Sequence, residues 1–91
     1  MDKNNETYLN HPTFGLLFKV CPIEDNRELY TTLYAQRLFF FVTHNRDNLS
    51  FEPIKRSDAR LVVENRLRQL RRIGADIDYK GLQVVYQRTF Q

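Results

Sequence analysis

Three side chains in this 91-residue sequence could take part in nucleophilic or acid–base chemistry: Cys21, His11 and His44. A cysteine activated by a histidine base is a common nucleophile. However, both histidines are isolated in the sequence, and nothing near Cys21 would lower the pKa of its thiol, so we interpret it as a small apolar group in a strand. His11 precedes Pro12, and we expect its side chain to fix a corner of the chain by hydrogen bonding rather than to bind a ligand.

Other signatures of chemistry are missing from the sequence. It has no glycine-rich phosphate loop and no carboxylate pair at an acid–base spacing on a helix. A single cysteine excludes an internal disulfide and a cysteine-based zinc site. We therefore expect a binding protein that is not an enzyme and has no metal, no cofactor and no small-molecule ligand of its own.

The strongest candidate for a binding surface lies in the stretch 31–43, which is rich in aromatic and β-branched residues and has no Gly or Pro. This stretch exceeds the usual five or six residues of a strand, so we expect a bend or a turn at 35–37. Side chains alternate along a strand, which places on one face Tyr34, Gln36, Leu38, Phe40 and Val42, and on the other Phe39, Phe41 and Thr43. Both faces are largely apolar, and the second needs a cover, either the protein's own helices or a partner.

Aromatic residues and arginine anchor many protein interfaces. The predicted partner surface therefore consists of Tyr34, Gln36, Leu38 and Phe40, with Arg37 beside it. The alternative, that these residues lie under the helices, is equally compatible with the pattern.

The segments around this stretch have the properties of further strands. We predict a strand over about 14–21 with Pro22 at an edge or bulge, a turn at 24–27, a strand from Glu28, a turn at 44–48 and a short strand over 49–52. Several short strands at close spacing favour a strongly bent antiparallel sheet or a small barrel.

Helix signals replace strand signals after Pro53. Ser57 is a suitable N-cap and Gly74 a suitable residue after the C-cap, which predicts a helix over 58–73, and Asp78 would cap a second helix over 79–89. The apolar stripe of the first helix comprises Ala59, Val62, Val63, Leu67, Leu70 and Ile73, and that of the second comprises Tyr79, Leu82, Tyr86 and Phe90. The short connection predicts an antiparallel helical hairpin. The expected fold is α+β, with a β-domain over 1–54 and a helical hairpin over 55–91.

Charge is distributed unevenly along the chain, whose net charge is +3. Residues 1–54 contain five basic and seven acidic groups, whereas residues 55–91 contain nine and four. In the first helix, Glu64 and Arg68 have the spacing of an ion pair, and Arg66 falls within the apolar stripe, where it must either extend past its neighbours or find an acceptor. The predicted basic face comprises Arg60, Arg68, Arg71 and Arg72.

The basic face allows several interpretations. It could be a solvated helix face, or it could contact DNA phosphates, RNA polymerase or another regulator. Two other functions remain as alternatives: a small nucleic-acid-binding module using the arginine-rich helix, and a reader of methylated side chains, which would need an aromatic cage. No apolar run is long enough to span a membrane and the polar start is not that of a signal peptide, so we expect a cytoplasmic protein.

Several segments closely resemble one protein family. The first segment, 8–17, contains Asn-His-Pro-Thr-Phe-Gly, and the second, 28–40, contains Tyr-Ala-Gln-Arg-Leu-Phe-Phe. Two shorter segments are 51–54 and 63–68. All of them are similar to PipX, the PII-interacting protein X family of cyanobacteria, over nearly the whole chain from Tyr8 to Phe90. The resemblance is weakest at the N-terminal tip, at 44–48 and at 75–78.

This resemblance implies a Tudor-like (SH3-like) bent β-domain followed by two helices. It also implies a small adaptor and transcriptional coactivator with two alternative partners. One is the T-loops of the trimeric PII signalling protein, bound when 2-oxoglutarate is scarce and ADP favoured; the other is the 2-oxoglutarate-loaded dimer of the nitrogen regulator NtcA. The effectors bind the partners. By the same resemblance, the shared interface comprises Tyr34, Gln36, Arg37, Leu38 and Phe40, with Phe14, Thr13 and Glu6 at its margin.

Overall fold

A computed structural model describes residues 8–33 and 38–90 of the chain. Within these residues five strands precede two helices: β1 (Tyr8–His11), β2 (Gly15–Glu24), β3 (Arg27–Thr32), β4 (Phe39–His44), β5 (Leu49–Ile54), α1 (Arg56–Arg72) and α2 (Asp76–Phe90). Each strand pairs antiparallel with the next, so the sheet has the order β1-β2-β3-β4-β5. The predicted α+β fold, a strongly bent antiparallel sheet followed by a helical hairpin, is confirmed.

The sheet is curled into a half-barrel. Strands β1 and β5 lie at opposite edges of the sheet, yet the rings of His11 in β1 and Phe51 in β5 are only 4.8 Å apart between centroids. A flat five-stranded sheet would separate its edge strands by about 19 Å, at 4.8 Å per strand. The curl therefore gives the sheet an inner face, which the strands themselves cover.

Alternation along β4 follows the prediction. Phe40 and Val42 belong to a buried cluster made only of strand residues. Phe39 and Phe41 lie on the opposite face, in a cluster to which both helices contribute. The ring of Phe39 stacks on that of Phe90 at the end of α2, with 5.4 Å between centroids. The helices thus cover the odd-numbered face of β4, and the even-numbered face lines the half-barrel.

Strand β2 contains two irregularities that shape its packing. Its register against β3 shifts between Lys19 and Cys21 and again between Pro22 and Glu24, which is the signature of a bulge. The first shift allows both Val20 and Cys21 to enter the cluster beneath the helices. The second lies next to Pro22 and agrees with the prediction of an edge or a bulge at this residue, which cannot donate a ladder hydrogen bond.

Helix α1 begins earlier than predicted. Its N-cap is Lys55, which makes no side-chain capping bond, so the prediction that Ser57 caps the helix is wrong and Ser57 lies in the first turn. Strand β5 ends at Ile54, leaving a single residue before the helix, and that residue takes the N-cap position. Gly74 follows the helix with a φ of 76°, as predicted, because this conformation is open mainly to glycine.

Two further expectations about the helices need correction. Helix α2 begins at Asp76 rather than after Asp78, so both carboxylates lie in its first turn. Their negative charges stabilise the helix there, because the N-terminal end of the helix dipole is positive. Ile73, predicted on the buried stripe of α1, is 67% exposed. It is the C-cap residue, and the chain leaves the helix axis there.

The two helices form the predicted antiparallel pair. Arg60, near the start of α1, donates a hydrogen bond of 3.1 Å to the Tyr86 hydroxyl, near the end of α2. At the other end, the guanidinium of Arg71 lies 5.5 Å from the ring centroid of Tyr79. The start of α1 therefore lies beside the end of α2, and the end of α1 beside the start of α2, as expected for antiparallel helices.

The expected ion pair between Glu64 and Arg68 is replaced by another. The carboxylate of Glu64 instead accepts hydrogen bonds from Arg60, at 3.2 Å, and from the Tyr86 hydroxyl, at 2.5 Å. Tyr86 comes from the other helix, and its bond orients the carboxylate towards Arg60. Arg68 bonds the side-chain oxygen of Asn65.

Candidate interaction surface

The turn between β1 and β2 is held by one histidine. His11 Nδ1 accepts two backbone N–H bonds, from Thr13 at 3.0 Å and from Phe14 at 3.2 Å. Gly15 closes the turn with a φ of 78°, a conformation that side chains rarely adopt. The predicted corner-fixing role of His11 is confirmed, and its consequence is a rigid turn that leaves Phe14 46% exposed.

The His11 ring also lies at the centre of an aromatic cluster. It stacks on Phe40 at 5.5 Å and meets Phe14 at 5.0 Å and the edge of Phe51 at 4.8 Å. Phe14 in turn lies 5.5 Å from Phe40. The space between these phenylalanine rings, where an aromatic cage for a methylated cation would have to form, is therefore taken by the protein's own imidazole.

Phe40 is consequently buried, with 2% of its side chain exposed. The helices, one of the two predicted covers, lie over the odd-numbered face of β4. On the even-numbered face, Phe40 is covered by His11 and Phe14 rather than by the helices or a partner. The curl of the half-barrel brings those rings over Phe40, and alternation along one strand carries no information about that curl.

Leu38 presents the opposite case. Its carbonyl oxygen accepts from the Thr31 hydroxyl at 2.8 Å and from the Thr32 backbone N–H at 3.1 Å. Its own N–H donates to Thr32 Oγ1 at 3.4 Å. The side chain nevertheless remains 42% exposed. Leu38 is an apolar side chain displayed on a firmly attached backbone.

The exposed side chains of Thr13, Phe14 and Leu38 share one end of the sheet, which we call the sheet-end surface. In an antiparallel meander the β1–β2 and β3–β4 connections lie at the same end. The backbone bond from Leu33 N–H to Leu16 O, 3.0 Å long, ties these two connections together. Four other predicted interface residues lie outside the described part of the chain: Glu6, Tyr34, Gln36 and Arg37.

The predicted basic face is exposed as expected, but three of its four members, Arg60, Arg68 and Arg71, have partners within the helices. Hydrogen bonds from Arg60 to Tyr86 and Glu64 raise the pKa of that guanidinium above its ordinary value. Arg71 packs over Tyr79 and Arg68 bonds Asn65. Arg60 and Arg71 thus join the two helices, whereas Arg68 and Arg72 line a groove beside α1.

The candidate nucleophile is deeply placed. Cys21 is 3% exposed, and burial raises the pKa of its thiol to about 12, an effect that the nearby Arg66 opposes only in part. Such a thiol is protonated at neutral pH and shielded from substrates.

One polar cluster was missed by the sequence analysis. The Glu28 carboxylate bonds Lys19 Nζ at 3.2 Å, His44 Nε2 at 2.8 Å and the Tyr30 hydroxyl at 3.4 Å. These residues come from three adjacent strands, so only the strand register brings them together. Lys19 and His44 bond Glu28 from the two neighbouring strands, so the cluster stabilises the sheet. In the residues that the structure describes, no group of His, Cys, Asp and Glu side chains could hold a metal ion, and no helix is long and apolar enough to cross a membrane.

The family model described as PipX, PII-interacting protein X, matches residues 5–90. The chain belongs to this family. No curated protein matches the chain. Membership in the PipX family makes it a PII-interacting protein of a family of regulatory adaptors rather than of a known enzyme family.

Proposed function

We propose that the chain is a non-enzymatic adaptor and transcriptional coactivator, which binds either the PII signalling protein or the nitrogen regulator NtcA through the sheet-end surface. In this proposal the surface continues through Tyr34, Gln36 and Arg37, with Glu6 at its margin. Partner choice follows the 2-oxoglutarate and ADP or ATP bound to those partners. The observation that carries the proposal is the exposure of Phe14 and Leu38 on a rigid end of the sheet.

The physical basis is burial of apolar area at low entropic cost. Covering the exposed parts of Phe14 and Leu38 would contribute about 1 kcal/mol each, since full burial of such side chains contributes about 1.5–3 kcal/mol. Their backbones are already fixed by His11 and by the two threonines of β3. Little additional order is therefore required on binding, which favours affinity. Phe40 contributes from beneath, as the ring on which Phe14 packs.

A single surface used by two proteins makes their binding mutually exclusive. The occupied fraction of each complex then depends on the affinity and concentration of the two partners, and an effector that changes either affinity redistributes the adaptor. The sheet itself needs no conformational change for this exchange.

The proposal is tested by Leu38→Asp and by Tyr34→Ala, with Leu49→Asp as the matched control. Leu49 is 37% exposed and begins β5 at the opposite end of the sheet. Because burying a carboxylate in an apolar contact is costly, we expect Leu38→Asp to weaken binding to PII and to NtcA by at least about tenfold. Loss of affinity for one partner only, or an equal loss with Leu49→Asp, would contradict a shared sheet-end surface. Circular dichroism checks that each variant is folded.

A further inference from the structure

A groove runs between helix α1 and the bulged end of β2. It has a volume of about 410 Å³, a floor formed by Pro22, Ile23 and Val62, and a wall that includes Arg66 and Arg72. Strand β1 pairs with β2 only as far as Phe18, so this later part of β2 has a neighbouring strand on one side alone. The groove exists because β2 extends beyond β1 and α1 crosses the remaining space.

Two arginines of this groove are held by neutral side chains. Arg66 Nη1 donates to Gln69 Oε1 at 2.9 Å, and Arg68 donates to the Asn65 side-chain oxygen. These acceptors are neutral amides, which orient the guanidinium groups without compensating their charge. Among residues 8–33 and 38–90, no ion pair involves Arg66, Arg68 or Arg72, and no carboxylate lines the groove.

A second cavity of about 360 Å³ adjoins the first and shares Pro22 and Arg66 with it. Its wall is mainly apolar, with contributions from Val20, Leu70, Leu82 and Val85, and Asp78 is the one carboxylate among its lining residues. Arg66 therefore stands between a cationic cavity and a mainly apolar one, which together we call the arginine groove. This position explains the arginine within the apolar stripe of α1, because Arg66 lines both cavities instead of packing into the core.

We propose that the arginine groove binds an acidic segment of a partner protein, with a carboxylate at Arg66 and Arg72 and a neighbouring apolar side chain in the second cavity. Guanidinium groups bind carboxylates through paired hydrogen bonds, and the amide of Gln69 already restricts Arg66. The floor and the apolar cavity offer burial to an aliphatic side chain at the same time. A nucleic acid fits less well, because no aromatic side chain lines either part for base stacking.

The arginine groove is independent of the sheet-end surface. Strand β2 begins at Gly15, beside the turn that carries Phe14, and ends at Glu24. The groove involves the Pro22 end of this strand and the helix-covered face of the sheet. A partner segment in the groove therefore leaves Phe14 and Leu38 accessible, and the inference does not depend on what binds there.

The test is an NMR titration of the ¹⁵N-labelled full chain with a blocked peptide of alternating glutamate and leucine. The control peptide has lysine in place of glutamate. We expect saturable shifts of the backbone amides at Ile23, Val62 and Gln69 with the acidic peptide alone. Shifts confined to other residues, no saturable binding, or equal binding of the lysine peptide would overturn the inference.

Variants complete the experiment. Arg66→Gln and Arg72→Glu, the latter at an exposed residue, should each weaken binding of the acidic peptide by about tenfold. Arg46→Glu makes the same charge change as Arg72→Glu in the exposed turn before β5 and should change affinity less than about twofold, because exposed charges far from the site are screened. Leu38→Asp should have no effect, whatever it does to PII binding. If Arg46→Glu weakened peptide binding as much as Arg72→Glu, the attraction would be non-specific. If duplex DNA displaced the peptide through the same arginines, the groove would be assigned to phosphates. Either result refutes the proposal.

Discussion

Cys21 should make the stability of the folded chain fall in alkaline solution. Burial raises the pKa of its thiol from 9.0 to about 12 in the folded chain, whereas the unfolded chain exposes the thiol to water. The folded form therefore holds a proton that the unfolded form releases as the pH rises past 9. The stabilising contribution is complete below that pH and is lost progressively between pH 9 and about 12.

The magnitude follows from the two pKa values. Above the lower value, each pH unit costs about 1.4 kcal/mol of unfolding free energy. One pH unit above 9.0, the unfolding free energy is thus lower than at neutral pH by about 1.4 kcal/mol. The total unfolding free energy of a small domain is about 5–15 kcal/mol, so this loss is measurable.

Urea unfolding followed by circular dichroism at neutral pH and at pH 10 measures this loss. The control is Cys21→Ala, in which tyrosine and lysine side chains still titrate but the thiol is absent. We expect the unfolding free energy of the wild-type chain to fall by about 1.4 kcal/mol more than that of Cys21→Ala. An equal fall in both chains would refute the assignment. As an independent check, a disulfide reagent at mildly alkaline pH should modify the folded chain far more slowly than the urea-unfolded chain.

Three further substitutions test the packing. Phe90→Ala removes the ring stacked on Phe39 of the sheet and should lower the unfolding free energy by about 3–5 kcal/mol. The control Val84→Ala, at an exposed residue, should change it by less than about 0.5 kcal/mol. An equally small effect of Phe90→Ala would show that the helices are not docked on the sheet. Glu28→Gln weakens three hydrogen bonds, two of them partly buried, and should lower the unfolding free energy by about 1–2 kcal/mol. Glu24→Gln, in a more exposed ion pair, should lower it by less than about 0.5 kcal/mol; equal costs would contradict a structural role for the cluster. His11→Asn keeps an acceptor near the Nδ1 position and should preserve the amide shifts of the β1–β2 turn in NMR spectra better than His11→Ala. Identical spectra of the two variants would show that the two backbone hydrogen bonds to His11 do not hold this turn.

The sequence predicted what depends on local pattern. Alternation placed Phe39 and Phe40 on opposite faces of β4, and the structure has them in separate clusters. Pro22 indicated an edge or a bulge, and His11 before a proline indicated a fixed corner. Each of these predictions requires only the chemistry of a few consecutive residues.

The remaining features depend on contacts between distant residues. The cover over Phe40 comes from the curl of the sheet, which moves the edge strands towards each other. The partner of Glu64 is set by Tyr86 on the other helix. The arginine groove requires both the length of β2 and the path of α1, and Arg66 alone could not reveal it. Sequence periodicity contains none of these distances.

A displacement assay tests the central claim, that one surface serves PII and NtcA in turn, most directly. The full chain is first bound to the NtcA dimer with 2-oxoglutarate, PII is then added at increasing concentration with ADP, and the mass of every complex is recorded by light scattering after size exclusion. We predict that PII removes the chain from NtcA and that no complex contains all three proteins. A stable complex of the chain with PII and NtcA together would contradict the account.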